Sequence, residues 1–374
     1  MNSLELTKKL LAFNTINTPG NEFECAEYIG GLLETIGFQV EYYDFAPKRT
    51  SLVAKIPSNS DKKPICFTGH LDVVPLGKAP WTKDPFSGET DNGKLYGRGT
   101  SDMKAGITAM LMMARSFAHD SEKLKQITFV FTAGEETCCE GAYYLAGLGN
   151  ALCDAGALVV GEPTSNLPFI GHKGCIRLDI TTKGEAAHAS MPELGDNAIY
   201  KAAEVIKKLE NYNFNIAPHP LLGNPTLVIG RILGGININS VPDRTTMGVD
   251  MRTIPGQDPI NIQKDIQNIL EKDVDIKLLE QVDSITTDPD NEWIQTVYTI
   301  MGNILNHSVD HSAASYFTDA SVLKTALGNP PCIILGPGEP GMAHKTDEFC
   351  HISKIDQAVE AYIEIVRHWG KTTF

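Results

Sequence analysis

Imidazole and carboxylate side chains recur in short polar loops of this chain, most of them just after an apolar, strand-like run. His70 and Asp72 follow Pro64–Thr68 in PICFTGHLDVVP, and Glu135 and Glu136 follow Ile127–Thr132 in ITFVFTAGEE. Glu162 follows Ala157–Val160 in ALVVGEP, and His344 lies in GMAHKTDEF beyond Cys332–Leu335. Asp102, in YGRGTSDMKAG, is expected to open a helix. These are the ligands of borderline divalent ions. Two such ions about 3.5–4 Å apart polarise a carbonyl and lower the pKa of a bound water towards about 7. A neighbouring carboxylate can take the proton. The adjacent pair Glu135–Glu136 suits a division of labour, one residue on metal and one facing substrate. Each motif alone is weak: HxD arises by chance, and GEE is common in solvated turns. Their shared address after strands carries the reading towards a metallohydrolase.

Those loops need a scaffold that gathers distant residues. In open α/β sheets the ligand site lies outside the carboxyl ends of the strands. Residues 1–174 alternate helix and strand: helix Glu22–Ile36, strands Phe38–Tyr43, Ser51–Ile56 and Pro64–Thr68, helix Met103–Ala118, strand Ile127–Thr132, helix Gly141–Leu148 and strand Ala157–Val160. Continuous apolar strands between helices predict a mostly parallel sheet covered on both faces. The Met110, Met112 and Met113 stripe reads as core filler. From Cys175 the pattern becomes alternating, as in a half-buried strand. Strand Cys175–Thr182, helix Asn197–Leu209, strands Thr226–Ile232 and Thr245–Arg252, helix Ile260–Leu270 and strand Val274–Val282 follow in β-α-β-β-α-β order, the ferredoxin-like arrangement. The expected organisation is a catalytic domain of residues 1–174 and 287–374 with a lid inserted at 175–286. Segments Trp293–Leu305, Ser321–Leu327, Cys332–Leu335 and Ile355–Trp369 return to the α/β style.

Composition sets the remaining bounds. The chain has 374 residues, 42% apolar and 21% charged, which is ordinary for a globular protein. A net charge of −14 argues against nucleic acid and anionic membrane surfaces as partners. The N-terminus reads as an amphipathic helix rather than a signal peptide, so a cytoplasmic location is expected. None of the 8 cysteines forms a CxxC pair, and most are expected to be buried thiols. The adjacent pair Cys138–Cys139, just after Glu136, offers a soft-metal or oxidation role as the alternative to that reading.

Taken together, GHLDVVP, GRGTSDMKAG, AGEE, VGEPTS and AHKTDEF resemble, in order, the motifs of the co-catalytic zinc amidohydrolases. That family includes acetylornithine deacetylase, succinyl-diaminopimelate desuccinylase, aminoacylase and glutamate carboxypeptidase. The resemblance implies two Zn2+ per subunit, with Co2+ or Mn2+ able to substitute. It assigns His70, Asp102 and Glu162 to one ion and Asp102, Glu136 and His344 to the other, with Asp102 shared. It makes Glu135 the general acid/base and Asp72 the carboxylate that orients His70. It also implies a homodimer in which His188, in GEAAHASMP, reaches the partner's site to stabilise an oxyanion. Asn239 and Arg252, in NSVPDRTTMGVDMR, fall near the substrate carboxylate, and Lys173 of HKG and Thr318 of YFTDASVL join them as substrate-binding candidates. Without the resemblance, His188 and Arg252 read as a structural His and a surface strand residue. HKG, YFTDASVL and LGPGEPGMAHKTDEF look most like the deacetylases, which implies N2-acetyl-L-ornithine cleaved to L-ornithine and acetate in arginine biosynthesis. The alternatives are succinyl-diaminopimelate desuccinylase, a related carboxypeptidase or aminoacylase, and, more remotely, an inactive binding protein.

Overall fold

The computed structural model describes residues 1–58, 61–270 and 274–369. Residues 59–60, 271–273 and 370–374, which the expected domain ranges include, lie outside the described residues. The chain divides into a larger unit (Met1–Gly171, Thr286–Ala313, Thr318–Phe374) and a smaller one (His172–Ile285, Ala314–Phe317).

The larger unit is built on a mixed sheet. Its four central strands, Ile127–Thr132, Ile65–His70, Ala157–Val160 and Cys332–Ile334, lie side by side in that order and run parallel. Antiparallel strands Arg49–Lys55 and Gln39–Ala46 extend one edge. Every residue of Ile65–His70, Ile127–Thr132 and Ala157–Val160 is buried, as the unbroken apolar runs require of strands covered on both faces. Chain order and spatial order differ, so loops separated by hundreds of residues leave the same ends of neighbouring strands. Helix Ala105–Ser116 buries Met110 and Met113. It approaches the strand ends closely because position 106 is glycine: a Cβ there would stand 2.1 Å from the Gly161 carbonyl oxygen. The helix begins at Ala105, two residues later than expected. Asp102 instead has extended backbone (φ −121°, ψ 89°) in the turn that precedes it.

A small antiparallel sheet absent from the sequence reading joins Thr90–Asp91, Lys94–Tyr96 and Phe349–His351. It sets the segment before Phe349 beside the chain leading to Asp102.

The smaller unit is a four-stranded antiparallel sheet in the order Thr226–Gly234, Arg244–Thr253, Gly174–Lys183, Val274–Val282. That order, with helices Ala198–Glu210 and Pro259–Leu270, is the ferredoxin-like arrangement. Ile176, Leu178 and Ile180 face the helices and pack with Ala202, Val205, Leu209, Ile262 and Ile266. Strand Thr226–Gly234 is an edge. No helix among the described residues is long and apolar enough to cross a membrane.

Candidate metal centre

Each of the four parallel strands delivers a loop with ligand-type side chains at its carboxyl end. His70 is the last residue of its strand, Glu135, Glu136 and Glu162 follow theirs by three, four and two positions, and His344 lies in the loop beyond Cys332–Ile334. Asp102 comes from the turn before Ala105. Two groups result: His70, Asp102 and Glu162, and Asp102, Glu136 and His344, the ligand atoms of each lying within 4.8 Å of one another. Asp102 belongs to both groups, turning Oδ1 to His70 Nε2 at 3.0 Å and Oδ2 to His344 Nε2 at 3.4 Å. His70 Nε2 stands 3.6 Å from Glu162 Oε1, and His344 Nε2 stands 3.1 Å from Glu136 Oε2.

This donor set fits divalent ions. Ligand atoms about 2.0–2.2 Å from a tetrahedral ion stand about 3.3–3.6 Å from one another, close to the separations found. The His70 tautomer points the same way. Its Nδ1 lies 2.9 Å from the Asp72 main-chain oxygen, which can only accept, so Nδ1 carries the proton. The lone pair of a neutral ring is then at Nε2, facing carboxylate oxygens. Acceptor against acceptor is unfavourable in a buried site, so a cation belongs between them, either a proton on Nε2 in the metal-free chain or a divalent ion in its place.

Glu135 stands apart from its neighbour. Glu136 belongs to the second group, whereas Glu135, although buried, belongs to neither. Asp72 produces this split presentation. Its fully buried carboxylate accepts from the backbone N–H of Gly134 (2.9 Å), Glu135 (3.2 Å) and Glu136 (3.2 Å), and from Asn17 Nδ2 (2.9 Å). Asp72 therefore does more than the sequence reading assigned to it. Its main-chain carbonyl orients His70, with the carboxylate farther off at 3.6 Å, while the carboxylate holds the Gly134–Glu136 backbone.

The electrostatics follow from crowding acids in a dry place. Burial, then the charge of Glu162, pushes the Glu135 carboxyl well above its ordinary range, and burial does the same to Glu162. Hydrogen bonds to Asp102 and Glu136 lift His344 to about 10. His70 is also raised: burial opposes its charge, but Glu162, Asp102 and Asp72 outweigh it. For each of these groups the folded-state value lies above the unfolded one. The stability each contributes is thus full below the unfolded value and lost as pH rises through the folded value. Asp102 and Asp72 are held low, so they act at the acid end, below 3.8. The metal-free chain should therefore melt at progressively lower temperature as pH rises from about 6.5 to about 10. Added divalent ion should widen its stabilising effect over that window, since its ligands must be deprotonated. Calorimetry with and without chelator checks this, and a metal-free melting temperature that rises with pH would contradict it.

The remaining candidates lie in the smaller unit or deeper in the larger one. Strand Ala187–His188 pairs with Ser240–Val241, and Ala189 N–H donates to the Asn239 carbonyl at 3.0 Å, so His188 and Asn239 are neighbours. His188 Nδ1 accepts from the Ser190 N–H at 3.1 Å, which leaves the proton of a neutral ring on an exposed Nε2. Arg252 is partly engaged: its Nε and Nη2 donate to Asp250 at 2.8 and 3.3 Å. The Lys173 ammonium donates to the Asn224 carbonyl at 2.6 Å. Thr318 is fully buried and its hydroxyl accepts from Ala320 N–H at 3.1 Å, a bond that shapes the start of helix Ala320–Ala326. Six cysteines, including Cys139, are buried, Cys138 is half-buried and Cys153 is exposed. Sequence reasoning missed Asn17 and Glu348. The signal for Glu348 was present in TDEF, an acid just before an apolar segment, but its partners are main-chain amides that no sequence pattern marks.

Comparison with known proteins bears on the whole chain. Residues 66–368 match the family model described as peptidase family M20/M25/M40. A probable succinyl-diaminopimelate desuccinylase of Staphylococcus epidermidis is 33% identical, covering 92% of this chain and 94% of its own. An acetylornithine deacetylase of Vibrio atlanticus is 28% identical over 98% of both chains. Among solved structures, an M20 family metallo-carboxypeptidase of Sulfolobus solfataricus superposes with a TM-score of 0.84 at 18% identity, covering 100% of both chains. A family model spanning most of the sequence and a relative above 30% identity along nearly all of it lead to one conclusion: this chain belongs to peptidase family M20/M25/M40.

Proposed function

We propose that the chain is a two-zinc amidohydrolase that releases the acyl group of a small N-acyl amino acid bearing a free α-carboxylate. The observation that carries the reading is the division between adjacent glutamates: Glu136 sits among ligand atoms and Glu135 does not, although it is buried beside them. His70, Asp102 and Glu162 would hold one ion, and Asp102, Glu136 and His344 the other, with Co2+ or Mn2+ able to replace zinc at such mixed N and O sites. When bound, the ions supply Lewis-acid polarisation of the amide carbonyl and acidify water. Glu135 accepts a proton from the attacking water as its oxygen bonds to the carbonyl carbon. It then delivers that proton to the amide nitrogen as the C–N bond breaks, giving a carboxylic acid and a free amine. A carboxyl whose affinity for protons is raised by burial suits both halves of this task. Asp72 keeps the two glutamates on their separate duties by fixing the backbone between them.

His188 of the partner subunit would donate its Nε2 proton to the developing oxyanion. The homodimer this requires is supported by an apolar surface on the smaller unit. Edge strand Thr226–Gly234 and helix Ala198–Glu210 leave Leu233 63% and Tyr200 74% exposed, with Val228, Ile232 and Ile199 also exposed nearby. An unpaired apolar edge of this kind suits a two-fold contact. Mixing His188→Ala chains with Glu135→Gln chains should restore partial activity, because one site of each mixed dimer keeps both residues. Verified mixed dimers with no recovery would count against action across the interface.

Arg252 and Asn239 would meet the α-carboxylate. Two guanidinium nitrogens already bind Asp250, which holds the fork in a set orientation and leaves Nη1 for substrate. Arg252→Lys is expected to raise KM for substrates with an α-carboxylate, because a point charge lacks that planar geometry. Equal rates on α-carboxylate and α-carboxamide substrates would remove this part of the reading. Within the substrate class, N2-acetyl-L-ornithine is our first assignment, on the motifs flanking the ligands. N-succinyl-diaminopimelate is the second, favoured by the 33% identity to the probable desuccinylase. Rates of the zinc-loaded protein on a panel of N-acetyl, N-succinyl and dipeptide substrates decide between them. A strong preference for the succinyl substrate overturns the first assignment and leaves the hydrolytic reading standing.

A further inference from the structure

A second buried carboxylate in the larger unit mirrors what Asp72 does. Glu348 is fully buried. Its Oε1 accepts from the backbone N–H of Ser101 at 2.7 Å and of Asp102 at 3.0 Å, and its Oε2 accepts from the N–H of Gly99 at 3.0 Å. Arg98, also buried, donates to the same Oε2 through Nη1 at 2.6 Å. The guanidinium goes further: Nη1 reaches the Lys345 carbonyl at 3.2 Å, and Nη2 reaches those of Pro75 at 3.1 Å and His344 at 3.5 Å. The pair thus joins the segment after His70 and Asp72, the turn that carries Asp102, and the loop that carries His344.

We propose that Glu348, oriented by Arg98, is a positioning residue that fixes how Asp102 is shared between the two ligand groups. Asp102 can serve both groups only if Oδ1 and Oδ2 point to opposite sides, at 3.0 Å from His70 Nε2 and 3.4 Å from His344 Nε2. The turn before Ala105 has no regular helical bonding at Asp102 to impose that direction, since the backbone there is extended. The bonds that the Ser101 and Asp102 N–H groups, in the two peptides flanking Ser101, donate to Glu348 supply it instead. A carboxylate can accept all of these bonds and compensate the guanidinium charge. A glutamine would place an NH2 group against backbone N–H donors and leave buried donors without acceptors.

This inference rests on the two-ion reading of the centre, so the test separates the two. Metal-free wild-type and Glu348→Gln chains are titrated with Co2+, followed by visible absorption and by calorimetry, and backbone hydrogen exchange is measured on the metal-free chains. The substituted chain is expected to bind the ions about 10–100-fold more weakly, the usual range for a lost partner behind the ligands. Its amides at Gly99, Ser101 and Asp102 should exchange faster, while Gly134–Glu136, held by Asp72, keep their protection. A general loss of structure would not produce that contrast. Should Glu348→Gln fail to fold, Glu348→Asp replaces it under the same criteria, with the charge kept and the reach shortened. Equal ion affinity, Co2+ absorption and exchange in substituted and wild-type chains overturn the proposal alone. A wild-type chain that binds no divalent ion overturns the reading of the centre, and this proposal with it.

Discussion

Replacing Glu135 with glutamine is expected to lower kcat by about 10²–10⁴-fold, the usual contribution of a positioned general acid/base. Ion content should be unchanged. The amide fills the same space but cannot take a proton from water or return one to the leaving nitrogen. Glu136→Gln should behave differently, because Glu136 Oε2 lies 3.1 Å from His344 Nε2 within a ligand group. An amide oxygen is a weaker donor to a cation than a carboxylate, so ion affinity should fall and activity should recover partly in excess metal. Metal analysis and steady-state kinetics on both variants check this. Loss of metal in both, or recovery of Glu135→Gln by added metal, would show that the roles are divided differently.

The second large effect is expected at Asp72. Its carboxylate satisfies three backbone N–H groups and the Asn17 amide in a place with no solvent. Asp72→Ala leaves those donors buried and unpaired. The expected cost is about 3–5 kcal/mol, as for breaking a buried charged network by removing one partner. Activity should fall with it, since the released backbone carries both Glu135 and Glu136. Asp72→Asn keeps one oxygen for these donors and should cost less. The melting temperature of each variant with metal bound is the measurement. An alanine variant as stable and as active as wild type would remove Asp72 from the account.

How much of this was legible in the sequence depends on the kind of information each feature carries. The ligand-bearing strand ends were legible because Ile127–Thr132 and Ala157–Val160 are unbroken apolar runs followed by polar loops, and the observed strands have those bounds. The ferredoxin-like unit was legible from alternation, with Ile176, Leu178 and Ile180 on the buried face. The helix after Asp102 is expected to start at Met103, two residues before its observed start, because Met103 and the residues after it have helical propensity. Local propensity cannot register that Glu348, more than two hundred positions away, binds the amides of the turn. The sheet joining Phe349–His351 to Lys94–Tyr96 was missed for a related reason: strands this short carry too little periodicity to stand out. Thr318 is a substrate-binding candidate by motif resemblance alone. Its neighbourhood suggested substrate contact, and in the fold its hydroxyl serves the backbone.

Hydrolysis is proposed to depend on two divalent ions held by the ligand groups that meet at Asp102. Chelator-treated protein titrated with Zn2+, with bound ion and turnover of an N-acyl amino acid followed together, tests it most directly. No turnover without metal, uptake of two ions per chain, and rates that rise with occupancy are expected. Full turnover in the metal-free chain under excess chelator would contradict it.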